Sequence, residues 1–549
     1  MRVLFYNWVD YLDPEGRGGG VSIYQRNLME AFGDGGPVEP TFLCAGISYD
    51  LLSDTPRWER IRHGPRRDRD RRYEIVNSRV LAPAHFSFGH RTQVSCPETR
   101  AAFVDFCRAR GPFDVIHFNN LEGLPADVLT LKEEFPATRI VYTLHNYYPL
   151  CPQVNLWHQE RETCTDFDEG RKCVECLPDR PDAQAVRQAD AVAYLLKRMG
   201  IAPGKRPFDF AFRRLLTLAG GATGAAAKVL PQARAVRGFG AKVTTSRPAG
   251  AGLPRTVESP ALRFRSRREA MVSLMNAQCD RILCVSGRVA ELARRYGYDP
   301  GLLQVAYIGT REAEKFAATA PKERLLRPDG TLALGYLGYM RRDKGFFFLL
   351  DALEELPEAA ARRVHLVIAA RSGPPEAMAR VEALSDRFAS VRHADGYSHA
   401  TLDALLAEVD VGVVPVLWED NLPQVAIEMH ARHIPLITSD LGGARELGAT
   451  EQMVFRAGSA ASFRDVLLDL LAERVDLDAY WRRARAPMSM AEHAAGLRAL
   501  YAELTGATRP APAETAAEAA GPADAAAGPH PAQTFEEPGA MRLDRGRHA

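Results

Sequence analysis

Short unbroken apolar runs, each followed by a helix-length amphipathic stretch, recur in both halves of this chain. Val3-Leu4-Phe5-Tyr6, Asp114-Val115-Ile116-His117-Phe118 and Arg139-Ile140-Val141-Tyr142-Thr143-Leu144 stand in the first 150 residues. Between the first two lies a predicted helix, Ser22 to Phe32, with Ile23, Leu28 and Phe32 on its apolar side. Runs without polar alternation suit strands buried on both faces, and such strands occur in parallel sheets covered by helices. The pattern returns at Arg281 to Ser286, followed by a helix from Val289 to Tyr296 that Ser286 can cap. Further strands are expected at 332–338, 364–370, 391–394, 411–416, 434–438 and 453–456, with helices in the intervals. Two such blocks in 549 residues predict two doubly wound α/β domains and not one enlarged core.

Composition narrows the function classes. A net charge of +1 gives no global electrostatic case for nucleic acid as a partner. No apolar run approaches the roughly 18–20 residues of a membrane span. Met1 to Tyr6 reads as a first strand and not as a signal peptide, so a cytoplasmic protein is expected. Nine cysteines, an odd number, argue against a disulfide framework.

Ligands of open α/β sheets bind beyond the carboxyl ends of the strands, so the loops there carry the chemistry. Gly18-Gly19-Gly20 follows the first strand, and glycines let backbone N–H groups approach a ligand. His145-Asn146 follows the run ending at Leu144. Leu337-Gly338-Tyr339-Met340-Arg341-Arg342-Asp343-Lys344-Gly345 places two Arg and one Lys between a strand and a helix, as a phosphate clamp requires. Trp418-Glu419-Asp420-Asn421-Leu422-Pro423 leads into a helix that contains Glu428, and Ser439-Asp440-Leu441-Gly442-Gly443 follows. A helix N-terminus preceded by Asn and Pro can hold an anion. A carboxylate inside that helix can accept from a diol such as a ribose. Each loop also has a bland reading, as a glycine turn, a structural histidine or a solvated basic turn.

In this order the motifs resemble the retaining glycosyltransferases of family four, group-1-type enzymes with the GT-B fold. The resemblance covers about 1–150 and 280–504 and includes Thr143-Leu144-His145-Asn146-Tyr147, Val285-Ser286 and Ser439 through Glu446. It implies two Rossmann-like domains facing a cleft, and transfer of a sugar from a nucleotide-diphosphate donor to a glycan or lipid-linked acceptor. It implies that Gly19 and Gly20 lie near the donor phosphates and that His145 points at the transferred sugar. Lys344, with Gly338, Arg341 and Arg342 beside it, would meet the diphosphate. Asp420, Asn421, Leu422 and Pro423 would touch the sugar, and Glu428 the ribose. His145, Lys344 and Asp420 are the catalytic candidates, and no catalytic cofactor is implied. The chain departs from the family at Asp420, where Glu is usual, at Tyr339, where Arg is common, and at Asn146, where Asp is common.

The expected division is an acceptor domain over 1–290, a donor domain over 300–480, a terminal segment over 481–504 packing back on the first domain, and a disordered Ala/Pro/Gly-rich tail over 505–549. Two inserts interrupt the first domain. In 151–176, Cys151, Cys164, Cys173 and Cys176 fit either a structural zinc site, given the Cys-x-x-Cys end, or a group of buried thiols. In 181–270, 17 Lys or Arg stand against 5 Asp or Glu, with loops at Gly220-Gly221-Ala222 and Arg247 to Gly250. That insert reads as a solvated surface or as a contact for an anionic membrane face, with Phe208 to Leu216 mixing aromatics and Arg. A GT-B nucleotide-sugar epimerase and a non-catalytic scaffold built on the cysteine module are the alternative functions.

Overall fold

The computed structural model describes residues 1–33, 36–177, 182–201, 203, 206–221 and 259–506. The loop at 247–250 and the tail from 507 lie outside the described residues. In chain order the strands are β1 (Arg2–Tyr6), β2 (Glu39–Ala45), β3 (Arg57–Arg60), β4 (Arg72–Val76), β5 (Val115–Phe118), β6 (Arg139–Leu144), β7 (Trp157–His158), β8 (Glu162–Thr163), β9 (Arg281–Cys284) and β10 (Leu303–Val305). They continue as β11 (Leu332–Tyr339), β12 (Val364–Arg371), β13 (Ser390–Ala394), β14 (Val411–Val414), β15 (Leu436–Ser439) and β16 (Val454–Phe455). The first sheet has eight strands in the order β10-β9-β6-β5-β1-β2-β4-β3, and the second has six in the order β13-β12-β11-β14-β15-β16. All neighbouring pairs in both are parallel except β3 on β4. This is the GT-B architecture of two Rossmann-like domains.

The apolar runs are strands for the reason given by their pattern. Val3, Leu4, Phe5 and Tyr6 are fully buried, as are Val115, Phe118, Ile140 and Val141. Full burial of each large side chain contributes about 1.5–3 kcal/mol, enough in sum to order a sheet covered on both faces. Strands β2, β3 and β4 were not legible, because Glu39-Pro40-Thr41 and Arg57-Trp58-Glu59-Arg60 dilute their apolar content.

Three expectations shift. The first helix runs Gly19–Phe32, three residues earlier than predicted, so two of the three glycines are helical and Gly18 caps it. Its buried face is Tyr24, Gln25, Leu28, Met29 and Phe32, while Ile23 is 43% exposed. Gly220 and Gly221, expected in a loop, end the helix Arg206–Gly221, and Ala222 lies outside the described residues. A break between 290 and 300 does not occur, because β10 pairs with β9 and belongs to the first sheet.

The terminal segment expected at 481–504 is two elements. Helix Leu477–Arg483 stays with the second sheet, its Tyr480 hydroxyl accepting from the Leu436 N–H at 3.1 Å. Helix Met490–Thr505, closed by a Ser489/Glu492 capping box, lies against the first sheet. There Tyr501 Oη stands 2.6 Å from His117 Nδ1, and His493 Nε2 stands 2.8 Å from the Tyr24 hydroxyl. The two connecting segments run side by side, with Thr310 N donating to Met488 O at 2.9 Å.

Candidate functional site

In the second sheet the chain order reverses between β11 and β14; in the first it reverses around β1, which lies between β2 and β5. Crevices at such reversals are the binding positions of this sheet type. The structure brings the two together. The Asn421 side chain, after β14, donates to the Leu144 carbonyl at the end of β6 at 3.2 Å. A Cβ on Gly20 would stand 3.0 Å from Gln424 Cγ, so the N-terminal turn of helix Gly19–Phe32 abuts that of helix Gln424–His430. Two helix N-termini, each with partial positive charge and free N–H groups, thus face one cleft from opposite domains.

Lys344 and Asp420 meet there. Lys344 Nζ lies 2.7 Å from Asp420 Oδ2 and 5.3 Å from the centre of the Trp418 ring. Burial opposes the ammonium charge, but Asp420 and Asp343 outweigh it and hold Lys344 above its ordinary range. The loop carrying Lys344 is fixed by backbone geometry. Gly345 has φ +70, and a Cβ there would fall inside the Pro415 carbonyl. Gly338 has φ +145, where a side chain is strained. Next to it Tyr339 is 52% exposed.

The two arginines stand differently from Lys344. Arg341 forks onto Asp343 of its own loop, with Nε 2.8 Å from Oδ1 and the terminal nitrogen 2.9 Å from Oδ2. Arg342 is exposed. Asp343 is therefore a functional candidate that the sequence reading passed over, since it sets where Arg341 points.

His145 lies beside this cleft. Its Nε2 is 3.1 Å from Asn119 Oδ1 and its ring centre is 4.9 Å from that of Tyr24. Burial and then His493 push its pKa down to about 3, so the imidazole is neutral at physiological pH. Asn119 in turn donates to Gln25 Oε1 at 2.6 Å. Neither Asn119 nor Gln25 was singled out from the sequence; their position after β5 and on the first helix was the available signal. Asn146 donates to the buried carboxylate of Glu122 at 2.9 Å and faces inward.

The remaining donor-side residues divide by role. Leu422 is packed in the core and Pro423, with φ −64, precedes the first turn of helix Gln424–His430. Asn421 Oδ1 is buried without a hydrogen-bond partner among the described residues. Glu428 is buried and accepts from the Tyr397 hydroxyl at 2.9 Å. Burial pushes its carboxyl above the ordinary range, against the lowering effect of that hydrogen bond.

All nine cysteines are free and buried. Burial pushes Cys164 up to about 11 and Cys173 and Cys176 up to about 12, so these thiols stay protonated. Cys176 Sγ lies 3.0 Å from Gln153 Oε1. Among the described residues no group of three or more His, Cys, Asp or Glu is arranged to hold a metal ion. Cys151, Cys164, Cys173 and Cys176 share one buried neighbourhood, close enough for the thiols to raise one another's pKa. The basic insert is not wholly solvated either: Arg267 and Arg268, on helix Pro260–Gln278, are buried and bind the carbonyls of Tyr148, Pro149 and Leu150.

Comparison with known proteins places the second domain. Residues 331–473 match the family model for glycosyl transferases group 1. TuaC of Bacillus subtilis (strain 168), assigned as a teichuronic acid biosynthesis glycosyltransferase, is 26% identical over 190 residues, 34% of this chain and 45% of that protein. A glycogen synthase of Mycobacterium tuberculosis is 30% identical over 218 residues, 37% of this chain and 48% of that protein. The chain thus spans about half the length of the curated relatives it matches. Among solved structures, sucrose-phosphate synthase from Thermosynechococcus elongatus superposes with a TM-score of 0.51 at 15% identity, covering 92% of this chain and 100% of that one. The chain carries a group 1 glycosyl transferase domain within a GT-B fold.

Proposed function

We propose that this chain, starting from its group 1 glycosyl transferase domain, moves a sugar from a nucleotide-diphosphate donor to a glycan or lipid-linked acceptor with retention of anomeric configuration. The observation that carries the reading is the Lys344–Asp420 pair, 2.7 Å apart, where two helix N-termini face each other across the cleft. A diphosphate bound there meets one ammonium and two helix ends, which lowers the energy of the charge that develops on departure. The unpartnered Asn421 Oδ1 offers an acceptor for a sugar hydroxyl, and leaving it empty costs free energy.

In the reaction the anomeric C–O bond breaks and its electron pair stays with the diphosphate oxygen. The acceptor hydroxyl bonds to the anomeric carbon on the same face and gives its proton to that departing oxygen. Lys344 holds the leaving group, Asp420 places Lys344 and the sugar, and the neutral His145, held by Asn119, contacts the sugar from the first domain. Glu428 takes the ribose diol. The reading places the enzyme in the cytoplasm, in polysaccharide or glycoconjugate synthesis, at the inner face of the membrane. The names of the two curated relatives, a teichuronic acid biosynthesis glycosyltransferase and a glycogen synthase, support the polysaccharide part of that reading. Among the described residues no helix is long and apolar enough to cross a membrane.

A thermal-shift screen against UDP-, GDP- and ADP-linked sugars tests the donor, because a bound donor stabilises the folded state by mass action. Nuclear magnetic resonance of the product then reads the anomeric configuration. No shift with any donor, or an inverted product, rejects the reading.

A further inference from the structure

The two residues flanking Asp420 both hold on to the opposite domain. Glu419, almost fully buried, forks onto Arg288 of helix Gly287–Arg295, with Arg288 Nε 3.0 Å from Oε2 and its terminal nitrogen 2.5 Å from Oε1. Asn421 donates to the Leu144 carbonyl at 3.2 Å. Behind them Glu446 reaches across to the start of the same first-domain helix. It accepts from the N–H groups of Gly287 at 2.9 Å and Arg288 at 2.7 Å, and from the Tyr307 hydroxyl at 2.6 Å. A carboxylate against the unsatisfied N–H groups of a helix start is a favourable pairing.

The clasp and the loop are one unit. Glu419 Oε2 also accepts from Gly442 N at 3.0 Å, and Gly443 N donates to the Asp420 carbonyl at 2.9 Å. Cβ atoms on Gly442 and Gly443 would collide with the backbone of Asp420 and Asn421, and one on Gly443 would stand 2.8 Å from Ser286 Oγ. The glycine pair is therefore the spacer that lets the Asp420 loop sit against the first domain. Asp420 itself faces Lys344 of its own domain.

We propose that Arg288 is a positioning residue, which sets the Asp420–Lys344 pair from the opposite domain through Glu419, so that the donor site is completed only when the cleft is closed. The role rests on the donor-site reading above, and the experiment separates the two. Arg288→Met alone would leave the Glu419 carboxylate buried without its partner and is a poor probe of anything but folding. Arg288→Met combined with Glu419→Gln leaves no buried charge unpaired and keeps an acceptor for Gly442 N–H; Glu291, which also meets Arg288 at 2.7 Å, is half exposed and keeps Arg295 at 3.9 Å.

The donor giving the largest thermal shift with the unaltered protein is used as the probe. In the double variant kcat falls about 100-fold, the scale of a small misplacement of reacting groups. The melting temperature stays close to that of the unaltered protein, and small-angle scattering without donor shows a larger radius of gyration. Arg288→Lys, which keeps the charge and loses the fork, recovers part of kcat. A double variant with unchanged kcat and unchanged radius overturns the proposal. If the unaltered protein binds no donor, the functional reading fails, and the scattering comparison still decides the clasp: an unchanged radius in the double variant overturns it.

Discussion

The Tyr397 hydroxyl donates to Glu428 Oε2 at 2.9 Å, so one oxygen of the carboxylate proposed for the ribose is already occupied. A diol must displace that hydroxyl or share the carboxylate with it. Tyr397→Phe frees the oxygen at no cost in ring packing. Donor affinity is expected to rise by up to about 1 kcal/mol, the net worth of one such bond. Calorimetry checks this; weaker binding would show that Tyr397 contacts the nucleotide directly.

Lys344→Ala removes the cation proposed to meet the leaving group. Turnover is expected to fall about 10²–10³-fold, as for loss of one preorganised donor to developing charge. The circular dichroism spectrum should stay that of the folded protein. Steady-state kinetics with the identified donor measure it, and unchanged kcat removes the assigned role.

Gly345 stands at φ +70 with the Pro415 carbonyl where a Cβ would be. Gly345→Ala combines backbone strain with a collision against main chain that cannot rotate away. A loss of about 2 kcal/mol or more is expected from such a position. Urea denaturation gives the value, and a neutral result would mean the Lys344 loop relaxes freely.

Stability should fall in acid through buried histidines. Burial holds His430 and His493 down to about 4, below the ordinary value of 6.5. Between those values the unfolded chain binds protons that the folded chain refuses, so stability is fully present above about pH 6.5 and is lost as pH falls toward 4. His493→Gln keeps a partner for Tyr24 and cannot titrate. Melting curves from pH 7 to 4 should therefore show a shallower decline for that variant than for the unaltered protein.

Helix Arg206–Gly221 carries Phe210, 68% exposed, beside exposed Arg214. If this face meets an anionic bilayer, flotation with phosphatidylserine vesicles should carry the protein at low salt and lose it at high salt. Phe210→Glu should weaken flotation. Equal recovery with neutral vesicles would rule out the electrostatic contact.

Burial periodicity and the loop motifs belong to the chain alone. Unbroken apolar runs such as Val3 to Tyr6 are too short for a buried helix and suit strands covered on both faces, so the two doubly wound domains follow from the sequence. The order Gly18 to Gly20, His145, Gly338 to Gly345 and Asp420 to Glu428 likewise singled out the loops that line the cleft. Dilute strands such as Arg57–Arg60 and the short β10 escaped, because they draw their stability from a neighbouring strand and not from their own hydrophobicity.

Partner choice was decided in three dimensions. Nothing local distinguishes Arg341, which turns to Asp343, from Lys344, which turns to Asp420. Nor does spacing reveal that Glu419 and Glu446 bind the opposite domain, some 131 and 159 residues away along the chain. Local pattern fixes which atoms are buried in an element, whereas a hydrogen bond or ion pair depends on distance and angle between elements, and those exist only once the two sheets have met.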